Sequence, residues 1–276
     1  MPELPETETI ARDLDREIAG SRVAAVTVTK ADVLREISAG ALRKRVTGAS
    51  IDRAWRRAKL VVLDLSGGDR IVVQPRFTGA LLIDTGGNLD ERELRYSTLR
   101  FDLADGRALH YRDIRRLGTV ALMSPKRFDE YTAVLGVEPL DGDFTAAHLS
   151  ALLRSSRQAT KKVLMDQRVL AGVGNIYANE ALWRAKIDPS RVANRVSADE
   201  AALLRDAIVN VLTESIAQRG TSFRDYRDAT GSRGGFAERL MVYGREGEAC
   251  PRCGHRLIAT HAIDGRSTVL CAHCQK

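Results

Sequence analysis

The four cysteines constrain this chain more than any other feature. Cys250, Cys253, Cys271 and Cys274 form two C-x2-C pairs separated by seventeen residues, and the rest of the 276-residue chain has no cysteine. That spacing matches four-thiolate zinc sites, where each pair turns two sulfurs toward one ion. Two disulfides or four free thiols are the alternatives, but disulfides normally bridge distant parts of a secreted fold. Four cysteines leave no open coordination position, so one structural Zn2+ is expected, with His255, His261 and His273 outside its shell. The intervening HRLIATHAIDGRSTVL reads as two short strands folded back on each other, with Arg266 at the bend.

The opening MPELPETETIARDL predicts a helix. Ile10, Leu14 and Ile18 share one face, Pro2 suits a first turn, and Glu3, Glu6 and Glu8 complement the positive end of the dipole; Gly20 ends it. RVAAVTVTK, AKLVVLDLSGGDRIVVQ, ALLID, LRFDLADGRALHYRD and GTVALM are β-rich, and the GGD and DG between apolar runs predict hairpin turns. An antiparallel sandwich or flattened barrel is the expected packing. Gly136, Pro139 and Gly142 in LGVEPLDGDF mark a linker to a helical region. There TAAHLSALLR, KKVLMDQRVL and IYANEALWRAK are helical, with AGVGN turning between the last two. A long helix follows Ser197, which forms a capping box with Glu200. Leu203, Leu204, Ile208, Val211, Leu212 and Ile216 supply its apolar face and Gly220 closes it. DYRDATGSRGGF reads as a polar, mobile loop.

A balance of 43 Lys+Arg against 36 Asp+Glu, net charge +7, favours a polyanionic partner, nucleic acid ahead of a membrane surface. No run approaches a membrane span, and the acidic start lacks the apolar stretch of a secretory signal, so a cytoplasmic protein is expected. AGVGN lacks the Lys-Ser/Thr of a P-loop and joins two helices. Its bare backbone can approach a phosphate, with Asn175 opening a helix whose N–H groups and dipole favour an anion. A turn that serves packing alone fits these five residues equally well.

Four separated stretches together resemble the formamidopyrimidine-DNA glycosylases: PELPE, RRAK ending at Lys59, MDQRVLAGVGNIYANEALWRAKIDP, and VYGREGEACPRCG…GRSTVLCAHCQ. Their order and approximate spacing match over nearly the whole chain. Leu4 and the long RDYRDATGSRGGF loop resemble this branch instead of the endonuclease VIII relatives, which open PEGPE. The resemblance implies an α+β multidomain fold: an N-terminal antiparallel β-sandwich with a leading helix over 2–132, a helix–two-turn–helix DNA-binding domain over 133–236, and a C-terminal β-hairpin zinc finger over 237–276. It also implies a monomer with no membrane partner that acts in base excision repair on damaged double-stranded DNA, flipping out an oxidised purine, excising it and nicking the backbone.

By the same resemblance, removal of Met1 exposes Pro2 as the amine nucleophile. A free α-amino group titrates at about 7.7–8.0 against about 10.4 for lysine, so it supplies a neutral amine more readily. Glu3 then matches the acid/base residue and Glu6 a second proton-handling carboxyl, although both also suit a first helical turn. Lys59, Lys161, Asn175 and Arg266 match phosphate-gripping positions, and such contacts position DNA without reading its sequence. Arg115 matches the residue that hydrogen-bonds the orphaned cytosine, and Arg116 a phosphate contact. The wedge that fills the void departs from the family pattern: Phe77 stands for a methionine, Leu117 for a phenylalanine, and Gln74 for a phosphate-touching histidine. These departures leave lesion ranking and opposite-base preference open. Two other readings keep the scaffold: an oxidised-pyrimidine glycosylase of the endonuclease VIII type, and a damaged-DNA-binding protein without catalysis.

Overall fold

The computed structural model describes residues 2–276, and the expected removal of Met1 concerns a residue outside them. The chain packs as two compact units, one running up to Val134 and including Gln218–Ala237, the other comprising Leu135–Ala217 and Glu238–Lys276. The helical region and the cysteine tail thus share a unit, while the segment after the long helix packs with the N-terminal unit.

In the first unit the helices are α1 (Leu4–Ile18), α2 (Ala39–Val46), α3 (Glu91–Arg95) and α4 (Pro125–Thr132). Its strands are β1 (Val23–Val28), β2 (Leu34–Arg35), β3 (Ile51–Arg57), β4 (Leu60–Leu65), β5 (Arg70–Gln74), β6 (Gly79–Asp84), β7 (Ser97–Leu103), β8 (Ala108–Asp113) and β9 (Thr119–Met123). They form a four-stranded sheet ordered β1-β7-β8-β6 and a five-stranded sheet ordered β2-β9-β5-β4-β3. Pairing is antiparallel except where the two-residue β2 runs parallel to β9. Val61, Leu63, Leu65, Ile71 and Val73 of one sheet, Leu81, Ile83, Leu99, Phe101 and Leu109 of the other, and Ile10, Leu14 and Ile18 of α1 share one core. The run LVVLDL is apolar on both faces because Leu60 and Val62 pack outward against Val72, Met123 and Phe128 of α4. Both predicted turns are present: Leu65 N–H bonds Asp69 O at 2.9 Å and Leu103 N–H bonds Arg107 O at 2.9 Å.

The start of α1 differs from expectation. Glu3 is the N-cap and Pro5 lies in the first turn, so Pro2 precedes the helix. The segment read as a mobile loop is anchored: Tyr226 and Ala229 are buried in the sandwich core, and Ile83 N–H bonds Ala229 O at 2.8 Å.

The second unit contains α5 (Ala146–Arg154), α6 (Thr160–Met165), α7 (Asn175–Arg184), α8 (Ala198–Ala217), β10 (Ile258–Thr260) and β11 (Thr268–Leu270). The capping box of α8 is formed, with Ser197 Oγ accepting from Glu200 N at 3.2 Å and Glu200 Oε2 from Ser197 N at 2.8 Å. Leu203 is 61% exposed, contrary to its predicted place on the apolar face, because adjacent helical residues diverge by about 100° and Leu204 takes the inward position. The linker is not loose: Gly136 N–H bonds Gln167 O at 2.8 Å and Ala171 N–H bonds Val137 O at 2.9 Å. Among the described residues no helix is long and apolar enough to cross a membrane.

Candidate active site and nucleic-acid interface

Both acids of PELPE are buried and built into the fold. Glu3 is 3% and Glu6 1% exposed. Glu6 accepts from Glu3 N at 2.8 Å and from Thr221 N at 2.7 Å. One carboxylate therefore fixes the helix start, directly after Pro2, and draws the 218–237 segment onto it. Arg219 and Tyr226 strengthen the same join. Arg219 pairs with buried Asp13 at 2.5 Å and buried Asp228 at 2.6 Å, and the Tyr226 hydroxyl donates to Arg219 O at 3.2 Å. Burial raises the Tyr226 phenol well above its ordinary value, so it remains a donor.

PELPE and RRAK meet in space. Lys59 lies in the two-residue turn between β3 and β4, not inside a strand as the sequence suggested. The preceding Ala58 has φ +51°, a costly value for a residue with a Cβ. Its carbonyl accepts from Thr7 Oγ1 at 3.4 Å and Arg56 Nη1 at 3.1 Å, which ties the turn to the first turns of α1. Glu8 bonds Arg56 at 2.7 Å. Burial alone would raise its carboxyl, but the Arg56 and Arg12 guanidiniums outweigh that and hold it below the usual range. Glu8 is thus a structural acid.

The wedge candidates sit on two short loops of the same unit. Phe77 (45% exposed) follows β5, and Leu117 (41%) follows β8. The Arg115 guanidinium carbon lies 5.0 Å from the Phe77 ring centroid, a cation–π pair. Arg116 is exposed and pairs with Asp32 at 2.7 Å. Gln74, in the histidine position, accepts from Arg76 Nε at 3.2 Å.

In the second unit Lys161 departs from expectation. It is fully buried, and its ammonium donates to Ser267 O at 2.9 Å and Thr268 Oγ1 at 2.8 Å. A phosphate-gripping lysine needs an exposed charge; this one orders the turn that carries Arg266. Asn175, the first residue of α7, donates to the same Ser267 O at 3.0 Å, and Asn179 accepts from Val269 N at 2.9 Å. Arg266 itself is exposed at the bend between β10 and β11.

The sulfurs of Cys250, Cys253, Cys271 and Cys274 all lie within 4.8 Å of one another. A tetrahedral ion with Zn–S of about 2.3 Å requires S···S of about 3.8 Å, so the four thiols fit one zinc and leave no position for substrate. Trp183, Val242, Leu257 and Val269 pack around the cysteines. Arg252 stacks over Trp183 at 4.1 Å. Glu180, fully buried on α7, accepts from Met241 N at 2.9 Å, Val242 N at 2.9 Å and Tyr243 N at 2.8 Å, which fastens the strap leading to the zinc site. Sequence reading missed this glutamate, whose only local sign was an acid on a largely apolar helix face, as it missed Thr78 and Asp113 at the loops bearing Phe77 and Leu117.

Comparison with known proteins agrees with this geometry. Three family models match: the formamidopyrimidine-DNA glycosylase N-terminal domain over 1–120, the formamidopyrimidine-DNA glycosylase H2TH domain over 135–227, and a zinc finger found in FPG and IleRS over 247–276. A formamidopyrimidine-DNA glycosylase of Carboxydothermus hydrogenoformans is 41% identical, with 100% of each chain covered. The chain belongs to the formamidopyrimidine-DNA glycosylase family. Solved structures agree: Lactococcus lactis Fpg in complex with DNA containing N7-benzyl-Fapy-dG matches with a TM-score of 0.91 at 32% identity, covering 100% of each chain. The Fpg protein of Thermus thermophilus matches at 0.86 and 33% identity, covering 99% of this chain and 98% of its own. The family zinc-finger model spans all four cysteines, so the site is that of one structural zinc.

Proposed function

We propose that this protein is a bifunctional DNA glycosylase/AP lyase of base excision repair that removes oxidised purines, 8-oxoguanine and formamidopyrimidines, from duplex DNA. The observation that carries the reading is the start of α1. Pro2 directly precedes a buried Glu3, on a helix end held by Glu6 and packed against the turn bearing Lys59. With Met1 removed, Pro2 presents a secondary amine there. An α-amino group is intrinsically less basic than a lysine amine, so it supplies a neutral nucleophile more readily. The neutral nitrogen attacks the anomeric carbon of an everted nucleotide and the damaged base leaves, Glu3 supplying a proton to the sugar ring oxygen or the leaving group. The resulting iminium acidifies the neighbouring sugar carbon. Loss of that proton expels the 3′ phosphate by β-elimination, and δ-elimination then releases the 5′ phosphate.

Everting a nucleotide costs a few kcal/mol in stacking and pairing. Phe77 and Leu117 offset part of this by filling the vacated space, and Arg115 meets the orphaned base. Lys59, Arg116, Asn175 and Arg266 hold phosphates, while Lys161 acts through the Ser267 carbonyl and the Thr268 hydroxyl. Zinc supplies no chemistry; its thiolates keep the Arg266 hairpin folded. The working protein is read as a cytoplasmic monomer. The Lactococcus lactis Fpg complex holds DNA containing N7-benzyl-Fapy-dG, a ring-opened purine, which supports purines over pyrimidines here. Excision assayed side by side on 8-oxoguanine:C and thymine glycol:A duplexes tests the reading. Faster nicking of the first is expected. Preference for thymine glycol would move the chain to the pyrimidine class, and tight binding without nicking would make it a damage-binding protein.

A further inference from the structure

Beneath the two wedge loops lies a buried carboxylate for which neither the chemistry nor phosphate binding has a use. Asp113, the last residue of β8, is 2% exposed. Its Oδ1 accepts from Thr78 Oγ1 at 2.5 Å, and its Oδ2 accepts from Gly118 N at 2.8 Å and the Tyr111 hydroxyl at 3.3 Å. Thr78 Oγ1 in turn accepts from Arg115 N at 3.0 Å. Thr78 belongs to the loop carrying Phe77, and Arg115 and Gly118 to the loop carrying Leu117. One acid and one hydroxyl therefore join both loops.

Independent features point the same way. Gly79 N–H closes the first loop on Arg76 O at 3.1 Å, and Arg112, itself 2% exposed, holds Thr78 O at 2.8 Å. A Cβ at Gly118 would collide with the Tyr111 hydroxyl and with Gln74 O, so the second loop rests directly on the backbone entering the first. Arg116 has φ +53°, a conformation that persists only where the surroundings impose it. Phe77 and Arg115 face each other across the gap as a cation–π pair. Burial and the Asp113 charge raise the Tyr111 phenol far above its ordinary value, which keeps it a donor to the acid.

We propose that Asp113 and Thr78 are positioning residues that latch the two wedge loops into one rigid block, and that this latch sets the preference for the base opposite the lesion. The proposal rests on the glycosylase reading above. A block formed before DNA arrives loses no loop entropy on binding and offers Arg115 in one orientation, so only a base with matching acceptors is met well. A loosened Arg115 adapts to other bases, and discrimination falls.

The test is kcat/KM for excision of 8-oxoguanine placed opposite C, A, G and T, beside AP-lyase activity on a single-stranded oligonucleotide carrying an abasic site, where no opposite base exists. Thr78→Val keeps the shape and removes the hydroxyl; Thr78→Ser restores it. Thr78→Val is expected to lower the C-to-A preference roughly tenfold, as befits a lost bond to a charged acceptor, through the C duplex, with lyase activity on the single strand unchanged. Thr78→Ser recovers the preference. An unchanged C-to-A ratio in a lyase-competent Thr78→Val protein overturns the proposal, as does an equal fall on all four duplexes and the single strand. Wild-type protein inert on the abasic strand overturns the glycosylase/lyase reading itself, and this inference with it.

Discussion

Replacing Glu180 with glutamine removes a charge from the centre of the second unit without changing its shape. Glu180 Oε1 serves the Val242 and Tyr243 amides and Oε2 serves Met241. In Glu180→Gln the carbonyl oxygen keeps two of these bonds, but each passes from the charge-assisted to the neutral range at a loss of about 1 kcal/mol. The new NH2 faces the Met241 N–H, and that amide loses its acceptor at a cost of about 1–3 kcal/mol. Relief of the buried charge returns part of this, since burial raises the Glu180 carboxyl above its usual value although the three amides pull it down. The net expectation is a loss of about 2 kcal/mol, assembled from those same ranges. Because Val242 packs with Trp183, Cys250 and Cys271, the zinc site should loosen together with the strap. Urea denaturation of the zinc-loaded chain, followed by tryptophan fluorescence and by release of zinc to a chromogenic chelator, reads both effects. A loss under about 0.5 kcal/mol, the range of neutral surface substitutions, with zinc release unchanged, would refute the claim that the carboxylate fastens this strap.

Three further outcomes follow from particular contacts. Stripping zinc with a strong chelator should unfold the 247–276 hairpin and weaken duplex binding at least about tenfold, read by fluorescence anisotropy, because the thiolates and the ion hold most of that small core; unchanged affinity after confirmed zinc loss contradicts this. Arg219→Ala leaves Asp13 and Asp228 buried without their shared cation, and a destabilisation of about 2 kcal/mol is expected, below the range for fully buried pairs because Arg219 is 39% exposed; limited proteolysis should then cut within 221–236. Ser197→Ala should cost about 1 kcal/mol by removing the cap of α8, measured by thermal melting.

What could be read from the sequence was local in the chain. The cysteine spacing, the Ser197–Glu200 box, the Gly-rich hairpin turns and the alternation that builds the sandwich each lie within a few residues of one another. The parts that escaped depend on partners far away in sequence. Lys161 matches a phosphate-gripping position, and nothing near it points to its acceptors, Ser267 and Thr268, which come a hundred residues later and exist only once the hairpin folds back. Glu6 read as a proton shuttle, and nothing near it announced that Thr221 would occupy one of its oxygens. The 224–236 segment looked mobile because its glycines and polar residues are visible, whereas the core that accepts Tyr226 and Ala229 is not. Pro2 and Pro5 are three residues apart, and only the Glu3 cap decides which of them belongs to the first turn.

The central claim is that the amine of Pro2 bonds covalently to the deoxyribose of an extruded nucleotide. Sodium borohydride reduction of the processed protein on an 8-oxoguanine:C duplex, with the crosslinked peptide located by mass spectrometry, measures it directly. A stable adduct on the peptide beginning at Pro2, diminished but still present in Pro2→Gly, is the predicted result. No adduct from active, Met1-free protein, or an adduct carried by Lys59 or another lysine, would contradict it.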